Sequence, residues 1–127
     1  MKNLILNKLE SQYPLLNTNI EILFFWSISC GQCHVFLNKL NDFYDNESIF
    51  TIHVPLSEAD LHKERMEAFL YKEDIKLPVY YDNQHELFAM IKSGFVPTIV
   101  LLDKDKDEIT IIITLEEMDD AINKLNY

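Results

Sequence analysis

Cys30 and Cys33 are the only cysteines in the chain, separated by Gly31 and Gln32. A pair at that spacing can exchange disulfides, ligate a metal, or carry a thioether-linked haem. The flanking pattern favours the first. Phe24-Phe25-Trp26-Ser27-Ile28-Ser29 is an apolar, aromatic run that ends in a polar turn. From Gly31 onward Val35, Phe36, Leu37, Leu40, Phe43 and Tyr44 recur at three- and four-residue spacing, an amphipathic helical stripe. A strand therefore leads into a helix, with Cys30 at the helix N-terminus. Unpaired backbone N–H groups and the macrodipole favour a thiolate there. Cys33 follows about one turn later on the same side of the helix. The pair reads as an activated nucleophile and its resolving partner, a dithiol–disulfide centre that needs no further cofactor.

The competing uses of the pair are weaker. A structural disulfide here would close a very short loop, worth roughly 2 kcal/mol, and a cytosolic chain does not normally keep one. Zinc would need Cys30, Cys33 and two of His34, His53, His62 and His85, yet there is no second Cys-x-x-Cys or His-x3–5-His pair at finger spacing. Cys30-Gly31-Gln32-Cys33-His34 also matches the haem-attachment pattern, but the strand-then-helix context belongs to a redox motif. Elsewhere, Asp103-Lys104-Asp105-Lys106-Asp107 opens like a calcium loop. Its sixth position is Glu108 instead of Gly and its twelfth is Thr114 instead of Glu. No metal site is expected.

A chain of 127 residues fits one domain, 1–127, with 48% hydrophobic and 25% charged residues, the balance of a soluble globular protein. The formal net charge of −10 argues against nucleic acid or an anionic membrane surface as partner, since both demand a basic face. Met1-Lys2-Asn3-Leu4-Ile5-Leu6 starts like a leader, but Asn7, Lys8 and Glu10 end the apolar run. No stretch approaches the ~20 apolar residues of a membrane span. The expectation is a cytoplasmic monomer.

The elements that must position the cysteines follow in order. Residues 2–12 carry Leu4, Ile5 and Leu9 on one helical face before Pro14, with a short strand as the alternative. Asn17-Thr18-Asn19 is a turn. Ile20–Phe25 is short and rich in branched and aromatic residues, a central strand. The cysteine helix runs from about Cys30 to Tyr44, and Asp45-Asn46-Glu47-Ser48 breaks it. Ile49–Val54 is a second strand, stopped by Pro55. Ser57 with Asp60 resembles a capping box for a helix over about 58–72, with Leu61, Met66, Phe69 and Leu70 inward. Leu77–Tyr81 is a short strand that Pro78 places at an edge or a strand start. Asn83 with Glu86 caps a helix over about 84–92 that buries Leu87, Phe88, Met90 and Ile91 and stops near Gly94. Val96-Pro97-Thr98 opens a strand through Leu102. After the acidic turn, Ile109–Ile113 returns antiparallel, and a helix over about 115–125 buries Leu115, Met118, Ile122 and Leu125.

Three of these features together resemble the thioredoxin superfamily: the Phe25-to-Cys33 segment, Val96-Pro97-Thr98 before a strand, and the closing hairpin and helix. The extra helix–strand unit of about 57–81 looks most like the bacterial thiol-disulfide oxidoreductases. The resemblance implies an α/β, thioredoxin-like fold: a mixed central sheet with helices on both faces and that unit inserted before the cis-proline helix. It implies that Pro97 is cis and that the backbone at Val96 faces the motif and pairs with substrate chain. Gly31, Gln32, Val96 and Pro97 would contact substrate. Trp26 would flank the site, with a merely packed tryptophan as the alternative. The implied substrates are protein or low-molecular-weight disulfides, regenerated by a recycling reductant or oxidant. A redox-responsive or metal-binding interaction protein of the same fold, without turnover, is the other reading. The chain also departs from its relatives. Phe24 stands where thioredoxins bury an acidic residue, and Phe36 where cytochrome-maturation relatives carry Glu. Ser29 replaces an aromatic residue, and Gly31-Gln32 replaces Gly-Pro. Cys33 is thus left without an obvious carboxylate base. His34 is the substitute at hand, unless it is only a solvated first-turn residue.

Overall fold

The computed structural model describes residues 1–13 and 19–126. In chain order the elements are α1 (Lys2–Glu10), β1 (Ile22–Trp26), α2 (Gly31–Asn41), β2 (Ile49–His53), α3 (Lys63–Lys72), β3 (Val79–Tyr81), α4 (Glu86–Ile91), β4 (Thr98–Leu102), β5 (Ile109–Ile112) and α5 (Leu115–Asn123). Short 3₁₀ turns span Glu58–Leu61 and Lys124–Asn126. Among the described residues the strands form one five-stranded sheet in the order β3-β2-β1-β4-β5. β1 lies at its centre, parallel to β2 with Trp26 opposite His53, and antiparallel to β4 with Phe25 opposite Thr98. β2 and β3 are parallel, β4 and β5 antiparallel. This is the mixed sheet expected from the order of the elements.

Every residue of β1 is buried, because helices cover both faces of the sheet. Its side chains alternate between the two. Phe24 and Trp26 join Phe36, Leu37 and Leu40 of α2, Met66 of α3, and Met118 and Ile122 of α5. Leu23 and Phe25 face Ile5 and Leu9 of α1 and Leu87 and Ile91 of α4. The N-terminal segment is therefore a helix, not a strand, although Leu4 points to solvent. Val35, Tyr44, Leu61 and Leu115, all assigned inward from spacing, are exposed as well. The expected stop at Pro14, and Asn17 and Thr18 of the expected turn, lie outside the described residues.

Two helix starts differ from the sequence reading. The stretch 58–72 divides into the 3₁₀ turn and α3, because Asp60 is not part of a capping box. Its carboxylate turns inward and accepts from the Leu56 N–H, and Ser57 makes no side-chain cap bond. At α4 the N-cap position is His85, and the first-turn N–H groups are satisfied by Asp82 instead of Asn83: its carboxylate accepts from the N–H groups of Leu87 at 3.1 Å and Phe88 at 2.9 Å. His85 enters this helix in the left-handed region, at φ 60°. α4 ends at Lys92, also left-handed, two residues before Gly94.

β3 is an edge strand, as Pro78 suggested, and its outer side is occupied by the residues that follow α1. The Gln12 amide donates to Tyr81 O and accepts from Tyr81 N–H, both at 3.1 Å. The Tyr13 hydroxyl donates to Val79 O at 2.5 Å and accepts from Val79 N–H at 3.3 Å.

Candidate active site

β1 ends at Trp26, and Ser27–Ser29 turn the chain into α2. Cys30 is the N-cap: its backbone is extended, and its N–H donates to Ser27 O at 3.1 Å. Its Sγ occupies the position of a capping oxygen, accepting from the Cys33 N–H at 3.2 Å. The two sulfurs are joined as a disulfide. The pair is asymmetric. Cys30 is partly exposed, whereas Cys33 is fully buried within the cluster that holds Phe24 and Phe36. Gly31 and Gln32 are exposed beside the pair, and a side chain at Gly31 would meet open space.

Across from the motif lies the loop before β4. Val96 O is 4.0 Å from Cys30 Sγ, and the Val96–Pro97 peptide is cis. The Thr98 hydroxyl donates to Phe95 O at 2.8 Å, which ties the loop to the start of β4. Val96, with the exposed Gly31 and Gln32 that follow Cys30 in the chain, therefore lies at the accessible cysteine, while Pro97 itself is buried. Trp26 is not at the surface. It is fully buried under the motif, 5.0 Å from the His53 ring and 5.7 Å from Phe69, so it supports the site by packing and presents no face to a substrate. His34 packs against Phe69 at 4.8 Å, and its Nε2–H donates to Ile28 O at 2.8 Å. It braces the turn.

Two residues to which the sequence reading gave other roles, His53 as a zinc candidate and Asp60 as a helix cap, hold this turn in place. The Ile28 N–H donates to His53 Nε2 at 3.2 Å. Asp60 accepts from the hydroxyls of Ser29 at 2.5 Å and Ser27 at 3.3 Å and from the Leu56 N–H at 2.9 Å, and pairs with Arg65 at 2.8 Å. The buried Ser27 signals a need for an acceptor, but no spacing rule links it or the exposed Ser29 to positions 53 and 60. Burial pushes the Asp60 carboxyl up, yet the bonds from Ser29, Leu56 and Ser27 and the Arg65 charge outweigh it and hold the group below its ordinary value. Burial lowers His53 to about 4; the Asp60 charge raises it and the Arg65 charge lowers it. As an acceptor from Ile28, His53 is neutral with its proton on Nδ1, which has no partner among the described residues.

This fixes the sign of the acid response. An unfolded chain protonates His53 below about 6.5, whereas the folded one does so only near 4. Stability is complete above the first value and falls as the pH drops toward the second, by on the order of 3 kcal/mol. Asp60, held below its ordinary value, adds a loss of the same sign at still lower pH. Urea unfolding at pH 7, 5.5 and 4.5 should show the decline, and His53→Gln, which can still accept from Ile28, should flatten it. A wild-type profile with no slope in this window would refute the assignment.

A strand-to-helix turn carrying a half-exposed cysteine and a buried partner, faced by a proline loop, defines a thioredoxin-like disulfide oxidoreductase. The chain belongs to the family described as the thioredoxin-like domain, whose model matches residues 14–126. It is 28% identical over 103 residues to the thiol-disulfide oxidoreductase YkuV of Bacillus subtilis (strain 168), covering 78% of this chain and 70% of the relative. It is 26% identical over 101 residues to the thioredoxin-like protein SkfH of the same organism, covering 78% and 72%. The crystal structure of StoA from Bacillus subtilis superposes with a TM-score of 0.62 at 26% identity, over 82% of this chain and 83% of StoA.

Proposed function

We propose that the protein exchanges disulfides with protein or low-molecular-weight substrates through Cys30-Gly31-Gln32-Cys33. The observation that carries this is the asymmetry of the pair: Cys33 is buried while Cys30 is partly exposed, and the Cys30 sulfur accepts from the Cys33 N–H at the start of α2. In the reducing direction the Cys30 thiolate attacks one substrate sulfur. A Cys30–substrate disulfide forms, and the other substrate sulfur leaves as a thiolate that takes a proton from water. Cys33 then loses its proton and attacks Cys30 Sγ, the second substrate sulfur departs, and Cys30–Cys33 is left oxidised. Two electrons have passed to the substrate, and a recycling reductant returns them. With a recycling oxidant the same steps run backwards. Gly31, Gln32 and Val96 are the surface that substrate meets.

The cytoplasm is the proposed compartment. Catalysed reduction of insulin or glutathione disulfide by excess dithiothreitol tests the activity. Many turnovers per protein are expected, and a single stoichiometric reaction would instead mark a redox-responsive binding protein.

A further inference from the structure

We propose that Asp60 is a positioning residue for the redox centre, holding the Ser27–Ser29 turn so that Cys30 keeps its place at the N-cap of α2. The proposal deepens the oxidoreductase reading and rests on it for its functional meaning. Asp60 lies thirty-one residues from Ser29 in sequence, yet its side chain is fully buried against the turn. Four donors converge on it: the Ser27 and Ser29 hydroxyls, the Leu56 N–H and the Arg65 guanidinium. A carboxylate suits this place because it accepts at both oxygens and donates nothing, whereas an amide would aim N–H groups at other donors. Ser29 immediately precedes Cys30, so the bond at 2.5 Å acts one residue from the nucleophile. His53 holds the intervening Ile28 from the other side.

The consequence is chemical. Cys30 Sγ receives the Cys33 N–H only while Cys30 is the cap, and that N–H with the helix N-terminus stabilises the thiolate. Stabilising the reduced thiolate makes a dithiol couple more oxidising. Loosening the turn should therefore raise the Cys30 pKa and make the couple more reducing. A direct effect of the Asp60 charge on Cys30 would act the opposite way, because removing a nearby negative charge lowers a thiol pKa. The sign of the shift separates the two. The charged and titratable groups around the turn are His34 on α2, His53 on β2, Asp60 in the 3₁₀ turn and Arg65 on α3.

The test is the pH dependence of Cys30 alkylation in a Cys33→Ser background, together with the Cys30–Cys33 potential in dithiothreitol or glutathione buffers. Asp60→Asn and Ser29→Ala should each lower the thiolate fraction near neutral pH about tenfold. If the whole effect falls on the reduced form, the couple becomes more reducing by about 30 mV. Ser29→Ala leaves the charge in place and keeps the test valid if Asp60→Asn unfolds. Glu64→Gln, an exposed site on α3, should change neither quantity. A downward shift in Asp60→Asn, or no shift in Ser29→Ala, would overturn the proposal. The alkylation profile needs no turnover, so a protein that fails with insulin while showing these shifts would refute the oxidoreductase reading and leave the positioning role intact.

Discussion

Cys30→Ser is expected to reduce disulfide exchange to the rate of the solution reaction, while Cys33→Ser keeps the first step and halts at a mixed disulfide. The reason is access. Cys33 is completely buried and cannot meet an incoming disulfide, whereas Cys30 is partly exposed at the helix cap. Serine at position 30 removes the only reachable sulfur. Serine at 33 removes only the group that would release the bound substrate. Mass spectrometry after incubation with a disulfide substrate checks both outcomes: one covalent adduct per Cys33→Ser chain and none on Cys30→Ser. Adducts forming equally on both variants would mean that Cys33 becomes exposed in solution, and the division of roles would fail. Adducts on Cys33→Ser recovered from cells would also report the partners.

Phe24→Asp should cost several kcal/mol of stability and accelerate the second step. Phe24 is fully buried in the cluster that also contains Cys33, Phe36 and Trp26. Deleting a buried phenyl ring costs about 3–5 kcal/mol, and a carboxyl group in its place adds the cost of an underbonded polar group. The expected gain is kinetic. Before it attacks, Cys33 must lose a proton inside apolar surroundings, which raise a thiol pKa. His34 has its Nε2 committed to Ile28 O, and Asp60 is surrounded by its own four donors. Wild-type resolution should therefore lag behind attack, and the Phe24→Asp variant should narrow the gap at pH 7. Urea unfolding measures the first effect and stopped-flow mixing the second. Wild-type resolution already faster than attack would show that Cys33 needs no such base.

The sequence revealed what repeats or clusters along the chain. The two cysteines, the apolar run of β1 and the spacing in α2 identified the centre and its scaffold, and the order of elements gave the sheet. Long-range polar contacts were hidden. Asp60 followed Ser57 at the spacing of a helix cap, and only the packed molecule shows its carboxylate turned to Ser27 and Ser29. His53 read as a stray zinc candidate because nothing local ties the end of β2 to Ile28. The resemblance placed Trp26 at the flank of the site, with a merely packed ring as the alternative, and its position in β1 directs the ring into the core. Side-chain direction decided these cases, and one-dimensional spacing does not carry it over such separations.

The bonds from Gln12 and Tyr13 to β3 have a further consequence, for colloidal behaviour. An uncovered parallel-strand edge is a template on which other chains polymerise. Here two side chains imitate a sixth strand without providing a backbone that could itself be extended. Growth of an aggregate from this side is capped as long as α1 stays docked through Ile5 and Leu9. Fraying of the first thirteen residues, by proteolysis or by an unfavourable fusion, would uncover this edge as a seed while leaving the dithiol and its turn untouched.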